Sequence, residues 1–235
     1  MQGVGLFFLI TVIVILAVVM TVFSYRARKK RREALKMLAD QLGWSFDPSS
    51  DRHLDREFRQ FKIFQQGHSR SAYNTLRGLM EIKGLTCRCK AGDYLYKVTS
   101  SNGKSQQTTT YTFSYLIVDH PFHNLPHLVI RPEHMFDKLA SAFGFDDIDF
   151  ESAEFSKRFF IKCKDKQFAY NVIDQRMMDF LLADTPGMFD LESEDCCLSD
   201  GKSTWTPEQF RLKINWMIQF FDHWPDFVVE ELLSQ

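Results

Sequence analysis

No aspartate or glutamate occurs in the first 32 residues, although the chain of 235 residues carries 30 of them. No basic side chain precedes residue 26 either, and then Arg26, Arg28, Lys29, Lys30, Arg31 and Arg32 crowd into seven positions. The missing early charge excludes a cleaved secretory signal. Such a signal places positive charge before an apolar stretch of roughly 7–15 residues and ends on small residues. Here "MQG" is uncharged, the apolar tract over residues 4–23 is 20 residues long, and "MTVFSY" offers no small-residue pair. Twenty residues at about 1.5 Å each make a helix of about 30 Å, the thickness of a bilayer's hydrocarbon core. The sequence therefore predicts a transmembrane helix over 4–23. By the positive-inside rule the N-terminus lies outside and everything after the tract lies in the cytoplasm.

The six cations are read as a topology determinant and a headgroup anchor, each worth about 1 kcal/mol near an anionic surface. Beyond them, 23 basic residues face all 30 acidic ones, a net charge of −7. That balance excludes a basic face for nucleic acid and predicts a domain that stands off lipid phosphates. A fragment beginning at Glu33 is expected to fold without its anchor.

Disulfide chemistry is not signalled. The five cysteines, Cys87, Cys89, Cys163, Cys196 and Cys197, are odd in number and irregularly spaced. Reduced, metal-free thiols in a reducing cytoplasm follow from this. Catalytic signatures are missing too. No G-x-S-x-G or H-E-x-x-H stretch occurs. His120, His123, His127 and His134 fall around Pro121 and Pro126, where a helix cannot put His123 and His127 on one face. "NGKS" at 102–105 and "DGKS" at 200–203 lack the glycine five positions earlier that a phosphate loop needs. Asp146, Asp147, Asp149, Glu151 and Glu154 do not match a calcium loop. The expectation is no catalytic residue, no metal ligand and no cofactor.

What is present is a large apolar inventory, 23 phenylalanines among it, which supplies a core without disulfides or metal. Ala34, Leu35, Leu38 and Leu42 form a stripe at helical spacing, and Gly43 is a C′ stop. Residues 24–43 thus read as a basic juxtamembrane helix, and 44–235 as the folded domain. The middle alternates with period 2. Tyr94, Tyr96 and Val98 share one strand face, Tyr111, Phe113, Tyr115 and Ile117 another, and Asn102-Gly103 turns between them. "HLVIR" and "SKRFFIKC" read as strands, "PEHMFDKLASAFG" as a helix, and "FAYNVIDQRMMDFLLAD" as one or two helices. "GMFDLES" and "CCLSD" read as a second hairpin. Thr206, Pro207 and Gln209 carry the marks of a capped helix start. Pro225 ends that helix, and "DFVVEELL" follows as a short one. The fold class is α+β: antiparallel strands, then a β-α-β-β-α unit. A sub-boundary is considered at 145–152.

The order of "LADQLGWSF", "FKIFQQGHSRSAYNTLRG", "GDYLYKV", "FSYLIV", "FGFDDIDFESAEFSKRFFI" and "FAYNVIDQRMMDFLL" behind an apolar helix and basic stalk resembles a family of uncharacterised membrane-anchored bacterial proteins. The resemblance covers most of the chain and implies the inner membrane, with no activity to carry over. The reading is a single-pass membrane protein whose domain binds a partner protein, in contact with the lipid bilayer and with no nucleic acid. The alternatives are a membrane-tethered hydrolytic enzyme, recognisable by a pocket where "DHPFH" and "DDIDFES" converge, and an acidic-lipid-sensing module.

Overall fold

A computed structural model describes residues 2–103, 105–133, 135, 147–185 and 187–234, with side chains from residue 10 onward. Helix α1 (Gln2–Leu42) runs unbroken for 41 residues, so the apolar tract and the basic stretch form one rod. Within it, Ile10–Leu42 is long and apolar enough to cross a membrane, with a mean hydropathy of 2.1 in a window of which none is buried. The last three turns change character: Leu35, Leu38 and Ala39 are buried. Each such leucine contributes roughly 2 kcal/mol through the water it sheds. Gly43, at φ +69°, ends the helix, and the Trp44 N–H closes back on the Ala39 carbonyl at 2.8 Å.

The described strands form one sheet of eight, every pair antiparallel: β1 (Ser45–Asp47), β2 (His68–Ile82), β3 (Leu85–Ser101), β4 (Gln106–Asp119), β5 (Leu125–Pro132), β6 (Phe159–Cys163), β7 (Met188–Ser193) and β8 (Asp195–Ser199). Their order is β1-β2-β3-β4-β8-β7-β5-β6. The late hairpin β7–β8 is therefore inserted between β4 and β5. Short helices complete the chain: α2 (Leu54–Glu57), α3 (Ala153–Arg158), α4 (Lys166–Val172), α5 (Gln175–Ala183), α6 (Pro207–Asp222) and α7 (Asp226–Leu233).

Period-2 alternation gives the sheet two apolar faces. One packs against the end of α1 and against α3 to α7, with Leu76, Leu116, Leu198, Trp216 and Phe220 among its buried residues. The other lies under α2 and a 3-10 turn at Lys62–Gln65, where the Phe64 ring sits 5.0 Å from Tyr94 and 5.4 Å from Tyr115. Tyr94 pairs with Phe113 and Tyr96 with Tyr111, so the two expected strand faces are one surface. Trp44 packs on the opposite side against Gly78, where an added Cβ would come within 2.2 Å of the indole ring.

One local expectation changes. Ser156–Arg158 belong to α3, because Ser152 accepts from the Phe155 N–H and starts a helix there; the strand begins at Phe159. Of the one or two helices expected from "FAYNVIDQRMMDFLLAD" there are two, because Asp174 accepts from the Met177 N–H and starts α5. "WSFDPSSDRHLDREF" contains β1 and α2. Residues 134 and 136–146, most of the helix expected from "PEHMFDKLASAFG", lie outside the described residues. After them Ile148 and Phe155 join the same buried cluster as Leu35 and Phe210.

Candidate functional site

Five of the six predicted headgroup cations, Arg26, Arg28, Lys29, Lys30 and Arg32, are exposed along α1. Arg31 is not part of that set. Its Nε donates to Asp93 Oδ2 at 2.8 Å and its Nη2 to Asp93 Oδ1 at 2.6 Å, a two-pronged pairing with a carboxylate that is 0% exposed. Asp93 also accepts from Asn74 Nδ2 at 2.9 Å and from the Ser114 hydroxyl at 2.7 Å. Ser114 in turn accepts from the Trp205 N–H at 2.8 Å. A buried polar knot on β2, β3 and β4 thus fixes the stalk to the sheet. It also changes the expectation for a fragment starting at Glu33, which would leave Asp93 buried without its cation.

On the other sheet face a groove of about 660 Å³ opens beside α2. Its lining includes Glu57, Phe58, Arg77, Leu79, Arg88, Lys90, Ile117, Asp119, Glu194 and Asp195. The alternation of β2, β3, β4 and β8 brings them together: Arg77 pairs across to Lys90, Leu79 to Arg88, and Lys90 to Ile117. Leu79 is 60% exposed. Around it the charges are matched. Arg88 Nη2 meets Asp119 Oδ2 at 2.6 Å. Lys90 Nζ meets Glu57 at 2.7 Å and lies 5.4 Å from the Phe58 ring centre. Asp195 is pushed up to about 6 by burial, then by the neighbouring carboxylates Asp119, Glu194 and Glu57. Gln60 donates to it at 3.1 Å. The groove therefore offers charges of both signs beside an exposed leucine, and burial with the neighbouring carboxylates favours a proton on Asp195.

The expected suspects are dispersed. His120 is buried against Phe122 and Phe221, its rings' nitrogens without hydrogen-bond partners, and burial pushes it down to about 4. His123 is exposed and 3.0 Å from Glu194. His127 Nε2 lies 2.8 Å from Asp190 Oδ1; His134 is outside the described residues. Among the described residues no group of three or more His, Cys, Asp or Glu could hold a metal ion. Asp190 pairs across β7–β8 with Cys197, which puts a thiol, an imidazole and a carboxylate in one neighbourhood. Burial raises the Cys197 thiol well above its ordinary range, and Asp190 and Cys197 are wholly buried. A buried neutral thiol is not a nucleophile.

All five cysteines are free and buried. The two G-K-S stretches are turns: Asn102 Oδ1 accepts from the Ser105 N–H, and Asp200 Oδ1 from those of Lys202 and Ser203. Asp147 bridges to Lys162, and Glu154 reaches Arg158. The groove draws Asp119 from the edge of the first suspect connection and nothing from "DDIDFES". Sequence reasoning missed the groove because its residues come from five segments. The one available signal was the charge alternation of "TCRCK" on the strand facing "RGLM".

No family model and no curated protein matches the chain. Among solved structures it is similar to the mycobacterial trehalose monomycolate transport factor A, TtfA, at 12% identity and a TM-score of 0.49, over 85% of this chain and 97% of that one.

Proposed function

We propose that this is a single-pass bacterial inner-membrane protein, N-terminus outside, whose cytoplasmic domain binds a partner protein in the groove. The long apolar helix and its flanking cations support the anchor and its direction. In this reading β6 to α6 is the β-α-β-β-α unit, with its first helical segment broken into α4 and α5. The observation that carries partner binding is Leu79, 60% exposed on the β2 side of a groove whose lining carries charges of both signs. An exposed apolar side chain among charged neighbours is the make-up of a protein interface. The lining offers Arg, Lys, Asp and Glu, whose charges suit recognition, and no hydroxyl or thiol activated by a base.

A photo-crosslinking amino acid placed at Leu79 in intact cells tests this. It should give a discrete protein adduct that Arg88→Glu removes, while the same probe at Tyr170, exposed on α4, gives none. Identical adducts from both positions, or none from Leu79, would contradict partner binding at the groove.

A further inference from the structure

The β3–β4 hairpin continues well past the rest of the sheet. β2 pairs with β3 no farther than Lys97, and β8 with β4 no farther than Tyr115, whereas β3 and β4 pair with each other to Ser101 and Gln106. The free arm is exposed on both faces. Its composition is unusual for this chain. From Tyr94 to Phe113 there is no acidic residue at all, in a domain of net charge −7, and the tip sequence is Ser, Thr, Gln and Asn with Gly103 and Lys104. At its root the Tyr96 and Tyr111 rings stack at 5.1 Å. Tyr111 is 43% exposed and Val98 39%.

Two fixed contacts give its direction. Arg31 of α1 is held on Asp93, and Trp44 Nε1 donates to the Leu79 carbonyl at 3.1 Å; Leu79 pairs with Arg88. From 44 back to 31 the helix rises about 20 Å. From 88 to 93 the strand advances about 17 Å. Helix and strand thus run side by side, and both continue the same way. Phe23, the end of the apolar tract, lies about 12 Å beyond Arg31. Ser101 lies about 26 Å beyond Asp93. The arm outreaches the stalk by about 14 Å, so a domain hung on this helix cannot keep the arm clear of the membrane surface, and α1 must cross tilted for the polar tip to stay at headgroup depth.

We infer that the β3–β4 arm rests on the lipid headgroup layer as a second support beside α1, fixing the pose of the domain. This rests on the membrane-spanning reading of α1. The chemistry fits: hydroxyls and amides hydrogen-bond headgroup phosphates, Lys97 adds a cation, and aromatic rings with a polar tip suit the interface. The domain's negative charge is kept to the other parts. The groove, built around Leu79 and Arg88, then lies at the end of the sheet away from the bilayer.

The full chain in nanodiscs of phosphatidylcholine with one third phosphatidylglycerol, carrying a headgroup nitroxide lipid, tests this. Single reporter thiols at Ser24→Cys, Gln107→Cys and Glu81→Cys take a fluorophore while the native thiols stay buried. The probes at 24 and 107 should lose roughly half their fluorescence or more, since headgroups form a layer only about 5–8 Å deep on each side of the core. The probe at 81, at the opposite end of the strands, should lose little. Val98→Glu should restore the signal at 107 and leave the melting temperature unchanged. Quenching at 24 without quenching at 107 would overturn the arm and leave the anchor; this is also the outcome if the arm serves a protein instead. No quenching at 24 would remove both. Equal quenching at 81 and 107, or quenching at 107 indifferent to Val98→Glu, would mean proximity without a seated contact and would overturn the inference.

Discussion

Asp93 has four hydrogen bonds converging on its carboxylate, two of them from a helix 62 residues earlier in the chain. Truncating one partner of a buried ion pair costs roughly 3–5 kcal/mol because the remaining charge stays buried. Arg31→Ala should fall at the low end, about 3 kcal/mol, since Asn74 and Ser114 still donate. Arg26→Ala, on the exposed side, should cost almost nothing. Chemical denaturation of both variants checks this; equal midpoints would remove the structural role of Arg31. Two other residues oppose each other in pH. His120 titrates at about 4 in the fold, below its ordinary 6.5, so the unfolded chain binds the proton more readily. Its contribution is full above pH 6.5 and is lost as pH falls toward 4, up to about 3 kcal/mol at 1.36 per unit. Asp195 sits at about 6 against an ordinary 3.8, so the fold holds a proton that the unfolded chain has released. Stability from this group falls as pH rises between those values. His120→Leu should therefore flatten the acid loss, and Asp195→Asn should raise the melting temperature at pH 7 but not at pH 4. Melting curves over pH 4–7 that shift in parallel for both variants would contradict these assignments. The identities of these residues were in plain view in the sequence, but their surroundings were not. Burial of His120 by Phe221 and pairing of Arg31 with Asp93 join positions 101 and 62 apart, beyond the range of periodicity or spacing.

Among the elements, those with local signals were legible. The Thr206 capping box with Pro207 starts α6 as expected, and Asn102-Gly103 turns β3 into β4. A second turn at Lys83-Gly84 went unremarked, although both residues adopt positive φ, at 52° and 76°, as a two-residue hairpin loop requires. Lys83 then donates to the carbonyls of Asp222 and Trp224 at 3.2 Å, tying the end of α6 to the turn. The insertion of β7–β8 between β4 and β5 was illegible, because nothing in a strand's alternation names its neighbour. Helix α1 was legible as two consecutive roles, but Trp44 just after it was not legible as the lid on Gly78. Gly78→Ala should displace Trp44 and cost about 1–3 kcal/mol by overpacking, whereas Gly103→Ala, with nothing within 4 Å of an added Cβ, should be limited to the strain of its positive φ. A fragment beginning at residue 26 should likewise melt above one beginning at Glu33. Calorimetry on the two fragments decides it, and equal transitions would show that the stalk lends the sheet nothing.

At the scale of the whole molecule, the apolar rod, the knot at Asp93 and the sheet form one mechanical unit. The rod does not end in a loose tether, so any orientation of α1 dictates the orientation of the groove. This account depends first on which side of the membrane the sheet occupies. Paired reporters fused after Gln235 measure that directly in living bacteria. The account predicts a fluorescent cytoplasmic reporter and an inactive alkaline phosphatase, both recovered in the inner-membrane fraction. Active phosphatase with a dark cytoplasmic reporter, or either fusion recovered as free soluble protein, would contradict it.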